Sequence, residues 1–280
     1  MRHMEKVQVS VDPAKFRGFK EVTPERLGNI LADFSVYDEY AVRVETLKGD
    51  EVAKNFKAIY NASKGYTEAV LTKEYHLVQH YDAFAPVAQV MADLGYEKAM
   101  ASSKEWNGRA VLTLVFPELK AVDNGNYLYF GMQLKNNVKG TGAIMMQPYG
   151  LRGACSNGML FGEKLGGKLR KVHSGKDLHL RMAEYMAEFK EKIPLIQEAI
   201  EYAKLSPLAE GSEKEALKLI GFGKGQIEEI VKQYAVETTT LGQTRWSLYN
   251  AITNLGTHAK QKGTQEAYLQ RAAVLLTTPQ

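Results

Sequence analysis

Arg152, followed by Gly153-Ala154-Cys155-Ser156-Asn157-Gly158, belongs to the segment of this chain best suited to holding an anion. A guanidinium offers several fixed donors to a phosphate, and glycines let backbone N–H groups approach it closely. A glycine-rich basic run follows through Gly162, Gly166 and Gly167. Between Lys164 and Arg181 six basic residues (Lys164, Lys168, Arg170, Lys171, Lys176 and Arg181) stand against the single acid Asp177, a net +5 in a chain whose total is +4. Localised charge beside flexible backbone suits a nucleic-acid phosphate chain, and the bland alternative is a solvated basic loop. Lys135 and Lys139, in the bend before this segment, extend the same track. Phe56, Tyr60, Tyr127, Tyr129 and Phe130 are available to stack on bases, although alternating aromatics in strands more often form core.

Other chemistries lack their residues. There is no Walker A sequence, no Gly-x-Gly-x-x-Gly after a strand pattern, and no Ser-His-Asp or paired-carboxylate arrangement. Gly221-Phe222-Gly223-Lys224-Gly225 lacks the preceding strand and the Lys-Ser/Thr ending of a phosphate loop, so it reads as a turn between helices. His76 and His80 flank the end of a strand pattern with only Asp82 as a third candidate ligand, which is poor for a metal. Cys155 has no base beside it; as the one cysteine it excludes an internal disulfide and fits a reducing cytoplasm. These readings point to a protein that is not an enzyme and needs no cofactor, neither ATP nor metal.

The elements that position these residues follow from period and punctuation. Thr23-Pro24-Glu25 starts a short helix toward Phe34. Strand patterns run through Val42–Glu45, Phe56–Tyr60 and Thr67–Val78, and a helix from Asp82 closes at Gly95. Lys98–Trp106 turns at Asn107-Gly108 into Val111–Phe116, and two more strands, Tyr127–Leu134 and Ala143–Arg152, complete a meander. From Asp177 the period becomes 3.6, with capping boxes at Ser174–Asp177 and Ser212–Glu215, a kink or break at Pro194, a helix over Gln226–Val236, and further helices from near Thr244 and Thr264. Trp246, Asn250 and Thr253 share one helix face, where Asn250 is placed to tie the helical part to the sheet. The expectation is an α+β fold, with residues 1–172 a strand-rich core carrying a helix across its antiparallel sheet and residues 173–280 a helical part packed on it.

At 280 residues, 45% hydrophobic and 24% charged, the composition is that of a soluble globular protein. No apolar run is long enough to cross a membrane, and Met1–Lys6 lacks the apolar stretch of a signal peptide, so the cytoplasm is the expected location.

Three blocks carry a resemblance. They are Tyr75–Phe84 (YHLVQHYDAF), Tyr149–Met159 (YGLRGACSNGM) and Thr244–Thr253 (TRWSLYNAIT). In order and spacing they resemble the DUF932 family of phage/plasmid-like proteins, with Gly153-Ala154 departing from the β-branched residue usual there. The resemblance covers about residues 40 to 275 and implies a mobile-element setting without implying an activity. The strand–helix–meander order is also similar, more weakly, to single-strand annealing proteins of the Rad52, Erf and RecT type, which assemble as rings or filaments around a basic groove. The function expected from these readings is binding and annealing of single-stranded DNA, or RNA, in recombination, by a homo-oligomer that is independent of ATP and metal and does not engage membranes. Its site residues are Lys135, Lys139, Arg152, Lys164, Lys168, Arg170, Lys171, Lys176 and Arg181. The alternative is a structural or interaction protein whose basic segment docks an acidic partner or another protomer.

Overall fold

Asn107 and Gly108 stand at φ 46° and 67°, the left-handed pair that a two-residue hairpin turn requires, and they start the sheet that organises the molecule. The computed structural model describes residues 16, 18–46, 49–123, 126–153, 156–161, 165, 169–171, 178–259 and 261–277. Around the turn, β5 (Ala99–Trp106) pairs with β6 (Arg109–Asp123), and β7 (Asn126–Asn137) and β8 (Ile144–Arg152) continue the meander. β1 (Lys20–Val22) adds to β5 at one side. At the other, β10 (Leu169–Lys171) pairs with the first half of β8 and β9 (Asn157–Leu160) with its second half. All of these pairings are antiparallel, in the order β1-β5-β6-β7-β8-β10 with β9 beside β8.

Alternation decides the two faces of this sheet. Ala110, Leu112, Leu114, Phe116, Phe130, Met132, Leu134, Ile144 and Met146 point inward and are buried. They share one continuous core with α1 (Leu27–Leu31), α2 (His80–Phe84), α3 (Pro86–Asp93) and the helical C-terminal part. That part comprises α4 (Leu178–Leu205), α5 (Ser212–Leu219), α6 (Lys224–Leu241), α7 (Arg245–His258), α8 (Lys262–Ala272) and α9 (Val274–Thr277). The fold is therefore α+β. Its largest core cluster runs through both the strand-rich and the helical parts.

The early strands form a sheet of their own. β2 (Tyr37–Thr46), β3 (Gly49–Asn61) and β4 (Tyr66–Thr72) make a separate antiparallel sheet. β4 reaches only Phe56–Asn61 of β3, so Arg43–Thr46 and Gly49–Val52 continue as a two-stranded ribbon. Tyr37, Ile59 and Val138 form the small core between the sheets. A polar joint reinforces it: the Glu105 carboxylate of β5 accepts from the Ser35 backbone N–H (2.7 Å), Ser35 Oγ (2.6 Å), Lys64 Nζ (2.7 Å) and Tyr37 OH (3.3 Å).

The elements depart from expectation in a few places. The segment after Arg152, read as flexible, contains β9 and β10, because Asn157–Leu160 is fully buried and supplies an edge to β8. α4 runs unbroken through Pro194, an exposed position. Ser212 does not cap α5: its hydroxyl donates back to the Ala209 carbonyl, and Gly211 at φ 83° precedes the helix. Thr244 does cap α7, accepting from Ser247 N–H at 3.2 Å. Ser174 and Asp177 lie outside the described residues.

Candidate functional site

Arg152 ends β8 on its inward face, where α7 crosses the β8–β9 hairpin. The residue is 6% exposed, and its Nη1 donates to Asn250 Oδ1 at 3.1 Å, with Glu237 Oε2 at 3.8 Å. Asn250 in turn donates through Nδ2 to the Trp246 carbonyl at 2.7 Å, fixing the orientation of its amide. Asn250 is thus the buried tie between helix and sheet that its helical spacing suggested. Asn157, opposite Arg152 in register, is fully buried; its two amide atoms and Trp246 Nε1 find no hydrogen-bond partner among the described residues. Trp246 stacks on Tyr249 (5.4 Å between centroids, 6° between planes), and the Tyr249 hydroxyl donates to the Leu160 carbonyl at 3.0 Å. Burial pushes the Tyr249 and Tyr149 phenols well above their ordinary range.

The anion-holding set read from sequence is therefore dispersed. Arg152 lies inside, because a guanidinium taken from water needs the acceptors that Asn250 and Glu237 supply. Lys135 is on the other face of the same sheet, 6% exposed, with Nζ 2.7 Å from Glu266 Oε1 of α8. Lys139 pairs with Glu68 at 3.2 Å. Arg170, on β10, and Arg181, on α4, are exposed; Lys171 belongs to β10. Lys164, Lys168, Lys176 and Cys155 lie outside the described residues. Of the stacking candidates, Tyr129 and Phe130 are core, Tyr60 is half-buried, and Phe56 and Tyr127 are exposed.

The sheet's outer face holds a feature that sequence reading missed. Ser102, Thr113, Gln133 and Gln147 are successive cross-strand partners on β5, β6, β7 and β8, forming a polar row where the inner face is apolar. Gln147 Nε2 donates to Gln133 Oε1 at 3.0 Å, which aims the Gln133 amide nitrogen toward Thr113 Oγ1 at 3.5 Å. α8 crosses above the row, because α7 and α8 turn around β9 and place Leu269 in the outer-face cluster with Tyr149 and Leu160. Two bonds brace it: Lys135 to Glu266, and Lys104 Nζ to Gln265 Oε1 at 2.8 Å. Between row and helix lies a cleft of about 390 Å³, lined also by Trp106, Phe19, Thr257 and His258. A smaller recess of about 160 Å³ shares Trp106, Val111, Lys135 and Glu266 with it and runs on to Arg109 and Asn137. The signal was present as Thr113 between Leu112 and Leu114 and Gln133 between Met132 and Leu134, polar where one-sided strands put solvent, but nothing local foretold that α8 would roof it.

The cleft offers uncharged donors and acceptors on its floor, an indole at one end, and two lysines against one glutamate. Such a surface can hydrogen-bond a polar heterocycle, stack on it and sit beside a negative group. Among the described residues no cluster of His, Cys, Asp and Glu could hold a metal ion. His80 is buried at the start of α2, its Nδ1 3.1 Å from Asn136 Nδ2, between the rings of Phe34 and Tyr37. No helix of the described residues is long and apolar enough to cross a membrane.

The family model described as Domain of unknown function (DUF932) matches residues 68–275, and the chain belongs to that family. The match takes in the floor and roof of the cleft and excludes β2 and β3. Comparison with curated proteins and with solved structures returns no match.

Proposed function

We propose that this protein binds single-stranded nucleic acid, DNA or RNA, without making or breaking bonds, and that it promotes strand annealing in recombination within a phage or plasmid setting. What carries the reading is the cleft beneath α8, with its polar row and Trp106. Its volume, about 390 Å³, is within the range of small-ligand sites and suits one nucleotide at a time. A base would lie against Trp106 and the Ser102–Thr113–Gln133 row, and its phosphate would face Lys104, with Arg109 further along the groove. Arg170 and Arg181, exposed near the β10 edge, extend the cationic surface, while Arg152 and Lys135 support the architecture.

Tryptophan fluorescence tests this directly. The chain has two tryptophans, and Trp246 is fully buried, so quenching by an added oligonucleotide reports on Trp106. Base stacking contributes about 1–3 kcal/mol, so Trp106→Ala should weaken oligonucleotide affinity by roughly tenfold or more, and added salt should weaken it further. An oligonucleotide that neither quenches nor binds, or one bound equally by Trp106→Ala, would remove the cleft from the reading.

A second reading, a structural or interaction protein working as a homo-oligomer, is favoured by one observation. Tyr40, Phe56 and Val70 lie on the outer face of the small sheet and are about half exposed. Light scattering separates the two: an assembly indifferent to oligonucleotide supports the second reading.

A further inference from the structure

Lys214 and Lys218 on α5 and Lys224 at the start of α6 border a recess of about 410 Å³ floored by Phe222 and Ile227. The turn between these helices builds it. Gly221, at φ 91°, reverses the chain and sends Phe222 inward, where its ring meets Tyr268 (5.1 Å between centroids) beneath the Arg271 guanidinium (5.1 Å). All three lysines are exposed, and among the described residues none forms an ion pair. Glu228 is the acid at the rim, leaving three positive groups against one negative.

Lys218 lies in the last turn of α5, where the helix dipole favours a cation, but its pairing with Lys214 and the placing of Lys224 are unfavourable. Lys214 and Lys218 are an i,i+4 like-charge pair. Lys224 opens α6 at its positive end, and no acid occupies that first turn. The α6 dipole and the three lysines, offset in part by Glu228 and by the C-terminal end of α5, leave a net positive potential over an apolar floor. Stability does not ask for the Lys214–Lys218 pairing or for Lys224 at the head of α6, whereas a ligand with the opposite charge and an apolar group would complement them.

We propose that this recess docks an acidic peptide segment bearing a large apolar side chain, with its carboxylates against Lys214, Lys218 and Lys224 and the apolar group on Phe222 and Ile227. The apolar floor argues for a peptide over a nucleic acid, whose phosphates would meet the lysines and leave the floor uncovered. The site lies apart from the cleft: Gln265, Glu266 and Leu269 of α8 line the cleft, while Tyr268 and Arg271, on another flank of the same helix, support Phe222.

The test is fluorescence anisotropy on the full chain, with a labelled peptide of aspartates ending in phenylalanine as probe. The same peptide with serine in place of phenylalanine and a labelled oligothymidylate serve as comparisons. We expect the phenylalanine peptide to bind best, in a salt-sensitive way. Its affinity should fall by about tenfold or more when Lys214→Gln, Lys218→Gln and Lys224→Gln are combined, with oligonucleotide binding unchanged. Ile227→Ser, its fold verified by circular dichroism, should reduce the preference for phenylalanine over serine. Equal binding of the two peptides would reduce the site to unspecific charge attraction. Unchanged peptide affinity in the triple variant would abolish it. Loss of oligonucleotide binding in that variant would make the surface part of the nucleic-acid interface instead.

Discussion

Acidification should loosen the joint between the two sheets, and Glu105 sets by how much. Burial alone would raise its carboxyl; the hydrogen bonds from the Lys64 and Ser35 side chains and the Ser35 backbone outweigh that and hold it at about 2, against an ordinary 4.5. A depressed carboxyl stabilises the fold above the unfolded-state value, and the contribution disappears as pH falls toward the folded-state value. The shift corresponds to at most about 3 kcal/mol at neutral pH. Lys64 is 44% exposed, so solvent screens its share, and about 2 kcal/mol is the expected reading. Urea melts of the wild type and Glu105→Gln at a series of pH values would measure it. At neutral pH the variant should be less stable by about that amount. The gap should begin to close below pH 4.5 and largely vanish near pH 2. A gap independent of pH would refute the electrostatic account and leave only packing.

Asn250→Ala should cost about 3 kcal/mol in urea melts, since it strips the buried Arg152 of a hydrogen-bond acceptor. Combining it with Arg152→Ala should cost much less than the sum of the two. Gly131→Ala should yield no folded protein in expression and circular dichroism trials: a Cβ there would lie 1.9 Å from the Leu114 carbonyl oxygen and 2.7 Å from Val115 Cα, both backbone of the neighbouring strand. Pro194→Ala should raise thermal stability, by about 1 kcal/mol or more, because α4 already runs helically through this exposed position and gains an N–H donor.

Much of the framework was legible because its signals are local. Asn107-Gly108 specified a hairpin, the helical period placed a start near Thr244, and helical spacing put Trp246, Asn250 and Thr253 on one buried face. What sequence reading missed depends on distant partners. Arg152 looks like a surface cation until Asn250 arrives from α7, and Lys135 does until Glu266 arrives from α8. Glycines and charge around Asn157 suggested open backbone, yet the segment is an edge strand that needs β8 beside it. The polar row emerges only from cross-strand register, which alternation within a single strand does not disclose.

The tie between Arg152 and Asn250 also has a history in time. Their positions are 98 residues apart, so a ribosome adding about 5–20 residues per second needs roughly 5–20 s to deliver the second after the first. Hairpins of the meander close in microseconds, so the nascent sheet is assembled long before its cover exists. During that interval the Arg152 end of β8 and the inner face near Asn157 remain open to water, and to other nascent chains. Refolding from denaturant, where α7 is present from the start, avoids this wait. The yield of folded protein should therefore depend on whether the chain is made or refolded, with translation speed and chaperone supply governing the former.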